Sequence, residues 1–112
     1  LTLLTQDHSL VNELFQNGSL TLEEAQKHPQ RNILTRALGT NKVKIDLFTT
    51  PVTTGDIVLL CTDGLHNHVT DNELEIILKQ ELSLKEKVQK MINTALERGG
   101  TDNITAILIQ YE

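Results

Sequence analysis

Two aspartates occupy the positions in this chain best suited to holding a hard cation. Asp63 follows the apolar run Ile57-Val58-Leu59-Leu60-Cys61 and precedes Gly64, which lets the backbone turn or approach a ligand closely. Asp102 follows Gly99-Gly100-Thr101 and leads through Asn103-Ile104-Thr105 into a second apolar run. Magnesium and manganese take oxygen ligands and keep several waters, so two or three carboxylates suffice for one ion. Asp-Gly and Asp-Asn are also common turn formers, and either acid alone carries that reading. Together, each at the mouth of an apolar strand, they read as a shared cation site, provided the two strands are neighbours.

The elements that must position these acids follow from periodicity and punctuation. Residues 57–61 form a continuous apolar strand, expected to be covered on both faces. Residues 103–111 form the last strand. Between them, Thr70-Asp71-Asn72-Glu73 opens a helix of about ten residues, and residues 83–97 form the strongest helix of the chain. Leu84, Val88, Met91, Ile92, Ala95 and Leu96 make one apolar stripe on it, and Gly99-Gly100 stop it.

Upstream, residues 1–5 read as a short strand ended by Gln6-Asp7-His8-Ser9. Ser9 caps a helix over Leu10–Gln16, stopped by Asn17-Gly18. Thr21 with Glu24 is a capping box opening a second short helix that Pro29 terminates. Both helices carry few apolar residues and read as a surface excursion. Extended structure resumes at 33–38. Val43, Ile45 and Leu47 alternate with their neighbours as a half-buried strand. The order predicts an α+β fold, with helices stacked on one face of a largely antiparallel sheet.

Bulk composition narrows the function classes. A chain of 112 residues fits one domain or a piece of one. Leu, Ile and Val must fill its core, because only 3% of residues are aromatic. A formal charge of −5, with Lys and Arg scattered among acids, argues against nucleic-acid binding. The lone Cys61 excludes an internal disulfide and fits a reducing, cytoplasmic setting. No apolar stretch reaches the length of a membrane span. The chain starts at Leu1 inside an expected strand, so an N-terminal part is expected to precede it.

Other polar residues read as structural. Cys61 lies in an apolar run without a phosphate-cradling loop and is expected to be buried and inert. His66 and His68 are placed in a solvated loop. His8 beside Asp7 is expected to make a local hydrogen bond, and Arg36 to pair with an acid. Arg31 remains a possible phosphate receiver. Lys85, Lys87 and Lys90 are expected on a solvated helix face.

Four motifs in order carry a resemblance. Gln-Asp-His-Ser (6–9), Arg-Asn-Ile-Leu-Thr-Arg-Ala-Leu-Gly (31–39), Cys-Thr-Asp-Gly-Leu (61–65) and Gly-Gly-Thr-Asp-Asn-Ile-Thr (99–105) resemble the later motifs of metal-dependent serine/threonine protein phosphatases. The similarity is to the bacterial form of the type 2C class and covers essentially the whole chain.

The resemblance implies a four-layer α-β-β-α sandwich, with residues 1–112 its C-terminal portion, and a pair of Mn²⁺ or Mg²⁺ ions. Asp63 and Asp102 would bind one ion with an aspartate from the N-terminal half, and a water bridging the ions would attack phosphorus in line. Asn103 and Gly64 would stand behind the ligands, Asn103 orienting a ligand or a water. Residues 9–29 would be a flap, with Ser9, Leu10, Val11, Asn12, Glu13, Gly18, Glu23, Glu24 and His28 in it. Thr62 stands where serine is more usual.

The family's early motifs, including its paired acids and the bridging aspartate, have no counterpart in this chain. As supplied it would hold half a site. Implied partners are phosphoprotein substrates, a cognate serine/threonine kinase pathway, and the N-terminal half of the same domain or a second copy. The alternative is a catalytically inactive fragment acting as a structural or self-associating module.

Overall fold

The computed structural model describes residues 1–41 and 43–112, which fall into two compact units, 2–49 and 50–112. The larger unit carries both strands. β1 (Ile57–Cys61) pairs antiparallel with β2 (Ala106–Gln110) in the register Ile57↔Gln110 through Cys61↔Ala106. Between them run α3 (Asp63–His66), α4 (Asp71–Lys79) and α5 (Leu84–Glu97). A strand's side chains alternate between faces. Here Leu59, Cys61, Ala106 and Leu108 face a core of Leu65, Val69, Leu74, Ile77, Met91 and Ala95.

The opposite face of the pair carries Leu60, Ile107 and Ile109, all about half exposed. The expectation that 57–61 is covered on both faces therefore fails among the described residues. Every helix layer of this unit lies on one side of the sheet.

α4 and α5 start where their caps dictate. Thr70 accepts from the Glu73 amide, and Ser83 and Glu86 form a reciprocal capping box that satisfies two amides of the first turn. On α5 the buried stripe is Lys87, Met91 and Ala95, flanked by half-buried Leu84, Val88 and Ile92, while Leu96 is exposed. Lys87 corrects the expected solvated lysine face. Its stem packs along the helix interface and its ammonium donates to the Leu78 carbonyl at 2.8 Å, a free acceptor at the end of α4. Lys85 stays in solvent, and Lys90 reaches the Gln80 side chain at 2.8 Å.

In the smaller unit, α1 (Leu10–Gln16) and α2 (Leu22–Lys27) form with the predicted caps, Ser9 on the Asn12 amide and the Thr21–Glu24 capping box. Their burial is confined to Ser9, Val11 and Ala25. The strands expected at 1–5 and 43–48 do not form. Neither segment has a ladder partner among the described residues, and a strand without one leaves its amides and carbonyls to water. Of the extended segment at 33–38, one bridge survives, Ser9↔Leu34.

Two amides flank that bridge: Leu10 donates to the Ile33 carbonyl at 3.0 Å, and Thr35 to the His8 carbonyl at 2.9 Å. The chain thus leaves at His8 and returns at Thr35, closing a loop around both helices.

Candidate functional site

The β1–β2 register brings the two aspartates to one end of the sheet. Beyond the last pair, Cys61↔Ala106, the Thr62 amide donates to the Thr105 carbonyl at 3.0 Å. The Thr62 hydroxyl then works twice across the gap. It donates to the Asn103 carbonyl at 3.2 Å and accepts the Thr105 amide at 3.1 Å. Thr62 is also the residue before α3, yet it makes no side-chain cap there, because its hydroxyl is committed to the opposite segment.

Gly64 shows how close the two segments lie. It is buried, and a β-carbon on it would meet the Asn103 carbonyl oxygen at 2.2 Å, with the Ile104 side chain at 3.3 Å. Only glycine fits. The backbone after Asp63 and the backbone after Asp102 are therefore in direct contact, as a shared site requires. α3 itself, four residues with no apolar periodicity, was not foreseen where the sequence suggested a turn.

Both carboxylates are exposed. Asp102 Oδ1 accepts its neighbour Asn103's amide at 2.7 Å, fixing the carboxylate's bearing on the loop. Among the described residues neither acid takes part in an ion pair. The donor set fits a hard divalent cation: two carboxylates and a carbonyl-rich turn, with no competing lysine or arginine. No group of three or more His, Cys, Asp or Glu side chains gathers among the described residues.

Asn103 and Gly64 lie beside the two acids as expected, Gly64 acting through its missing side chain. Cys61 is half-buried, and burial pushes its thiol pKa up, which keeps it protonated and unreactive. His66 is exposed on α3. His68 is half-buried rather than solvated, with Nε2 3.3 Å from the Thr101 hydroxyl.

The expected flap residues all belong to the other unit. Ser9 caps α1, Leu10 begins it and Val11 is buried beneath it. Asn12 donates from Nδ2 to the Asp7 carbonyl at 2.9 Å, and Glu13 is exposed. Gly18 turns the chain with φ +85°. Glu23 pairs with Lys27 at 2.9 Å, Glu24 completes the capping box, and His28 ends α2 with Nδ1 accepting the Gln30 amide at 3.0 Å.

At the base of this loop His8 bonds not locally but to Asp46, at 2.7 Å. Asp46 also receives Arg36 at 2.8 Å, the structural pairing expected of that arginine. The Arg36 guanidinium, and then the His8 ring, hold the Asp46 carboxyl down to about 2. Arg31 donates to the His28 carbonyl at 3.2 Å.

No family model matches the chain. Curated proteins and solved structures do. The serine/threonine phosphatase stp of Listeria welshimeri is 50% identical over 108 residues, 96% of this chain and 43% of that protein. A Streptococcus pyogenes protein named as a 2C-type protein phosphatase is 48% identical over 112 residues, 99% of this chain and 46% of its own length.

The solved serine/threonine phosphatase of S. agalactiae superposes with a TM-score of 0.92 at 44% identity, over 98% of this chain and 46% of that one. The catalytic domain of the phosphatase PstP, solved with two manganese ions, superposes at 0.75 with 34% identity, over 94% of this chain and 43% of that one. The chain spans less than half the length of the relatives it matches, and the part it matches is their C-terminal half.

Proposed function

We infer from this match that the chain is the C-terminal part of a serine/threonine protein phosphatase of the bacterial type 2C kind, and that the whole protein hydrolyses phosphoserine and phosphothreonine esters in phosphoproteins. The observation that carries the reading is the backbone contact at Gly64 and Asn103, which sets Asp63 and Asp102 side by side at one sheet end.

Asp63 and Asp102 would hold a divalent cation, Mn²⁺ or Mg²⁺, together with an acid from outside this chain. Bound ions supply a water acidic enough to attack at neutral pH and positive charge to meet the developing phosphoryl charge. This chain's own task is positional. Thr62 ties the two acid-bearing segments together, Gly64 lets them touch, and Asn103 fixes the bearing of the Asp102 carboxylate.

The bare face of Leu60, Ile107 and Ile109 supports a four-layer sandwich in which a second sheet packs on that side. The closed loop from His8 to Thr35, with residues 9–29 inside it, supports the flap assignment. A single cysteine without a disulfide favours a cytoplasmic protein, and no helix among the described residues is long and apolar enough to cross a membrane. A kinase whose products the enzyme reverses is the partner this chemistry calls for.

The test is Mn²⁺-dependent hydrolysis of a chromogenic phosphate ester. The 112 residues alone should be inactive and gain activity when the N-terminal part of the domain is added. Asp63→Asn and Asp102→Asn should each abolish it. Turnover by the 112 residues alone, lost in those variants, would overturn the half-site reading. A complete protein indifferent to both substitutions would overturn the phosphatase site.

A further inference from the structure

Arg98 follows the last residue of α5, four positions before Asp102, and its side chain ties three elements together. Nη1 donates to the His68 carbonyl at 2.8 Å, at the end of the segment that follows α3. Nη2 meets the Glu73 carboxylate at 2.5 Å in the first turn of α4. Glu73 is itself fixed, since its Oε1 accepts the Thr70 hydroxyl at 3.0 Å while its amide donates back to that hydroxyl at 3.3 Å. The guanidinium of Arg98 holds the Glu73 carboxyl below the usual range, so the pair stays charged at neutral pH.

His68 closes the circuit, with its ring against the Thr101 hydroxyl one residue before Asp102. Between Arg98 and Thr101 lie Gly99 and Gly100, at φ +131° and +50°. Glycines in that region confine the chain little by themselves. Whatever follows them takes its position from anchors on either side: Arg98 before, Thr101 and the Thr62 hydroxyl after.

We propose that Arg98, held by Glu73 and His68, is a positioning residue for the Asp102 cation ligand, setting the course of the glycine pair so that Asp102 reaches Asp63. The proposal rests on Asp63 and Asp102 being cation ligands. Arg98 touches neither substrate nor ion; it acts through the loop. A planar two-pronged donor suits this task, because one prong addresses a carboxylate and the other a carbonyl in fixed relative orientation.

The measurement is calorimetric titration of Mn²⁺ into the metal-free complete phosphatase carrying this sequence, beside its metal-free melting temperature. Arg98→Ala and Glu73→Gln should each weaken Mn²⁺ binding about tenfold, and the double variant should lose no more than either alone. Arg98→Lys should recover part of the loss. Lys79→Ala removes a comparable exposed pair, with Glu75 at 2.8 Å, and should leave Mn²⁺ binding unchanged.

The melting temperatures of the Arg98 and Glu73 variants should fall no further than that of Lys79→Ala, which separates a shifted ligand from a loosened fold. Wild-type Mn²⁺ binding by Arg98→Lys and Glu73→Gln, while Asp102→Asn loses the ion, would overturn the positioning role alone. Wild-type binding by Asp102→Asn would overturn the cation site itself.

Discussion

Residues 50–112 close a core; residues 2–49 do not. In the first, every apolar element finds a facing element in the same stretch of chain, and Leu65 and Met91 lose all contact with solvent. In the second, Leu38 and Leu47 stand 93% and 92% exposed, and order comes from caps, two flanking amides and the Asp46 ion cluster. The difference lies in what each element needs. A helix satisfies its own backbone and asks for one apolar face, whereas a strand asks for a neighbour on each edge and a cover on each face.

Several substitutions would sharpen or break that contrast. The largest effect belongs to the closed core. Met91→Ala should cost about 2–5 kcal/mol in denaturant unfolding, because nothing around the site is free to collapse into the void. Gly64→Ala comes next, at about 1–3 kcal/mol, since the new methyl must drive the Asn103 carbonyl away. It should also disturb Mn²⁺ binding in the complete protein, visible by titration. A neutral result would mean that the two acid-bearing segments are not locked together.

Asp46→Asn acts in the open unit, and its effect depends on pH. The Asp46 carboxyl is lowered from 3.8 to about 2 in the folded chain. Its contribution is therefore complete above about pH 4, declines as pH falls towards 2 and is absent below. Hydrogen exchange at the Leu10 and Thr35 amides reads the clamp directly. Exchange should be faster in Asp46→Asn than in the native chain at pH 5, and the two should converge near pH 2. A constant difference across that window would remove the clamp.

Leu47→Ala should be the smallest, within about 0.5 kcal/mol in the 112-residue chain. In the complete domain it should cost more, if the rest of the protein covers that side chain.

What was legible in the sequence was what neighbours in sequence decide. Ser9, Thr21, Thr70 and Ser83 announced four helix starts, and the α5 stripe announced its buried face. Asp63 and Asp102 were legible as a pair because the motifs around them are local, and the β1–β2 register then supplied the proximity that the motifs alone left conditional.

What escaped depends on distant partners. The alternation at 43–48 is the pattern of a strand, but pattern cannot summon the strand beside it. His8 finds Asp46 38 residues away, and Arg98 finds His68 30 residues away, at distances no spacing rule reaches. Lys87 was misread because a charged residue on a helix suggests solvent, and only the end of α4 reveals why it is buried. α3 was too short to show a period.

Lys87 also bears on how this chain comes apart. The ammonium that closes the last turn of α4 belongs to α5, so the end of one helix is completed only while the other is docked. The two helices should therefore open in a single step, and amides near the end of α4 should exchange at the rate set by the undocking of α5. Of the chain's lysines, Lys87 is then the one whose acetylation would be read as mechanical failure, separating two helices that no other ammonium joins backbone to side chain.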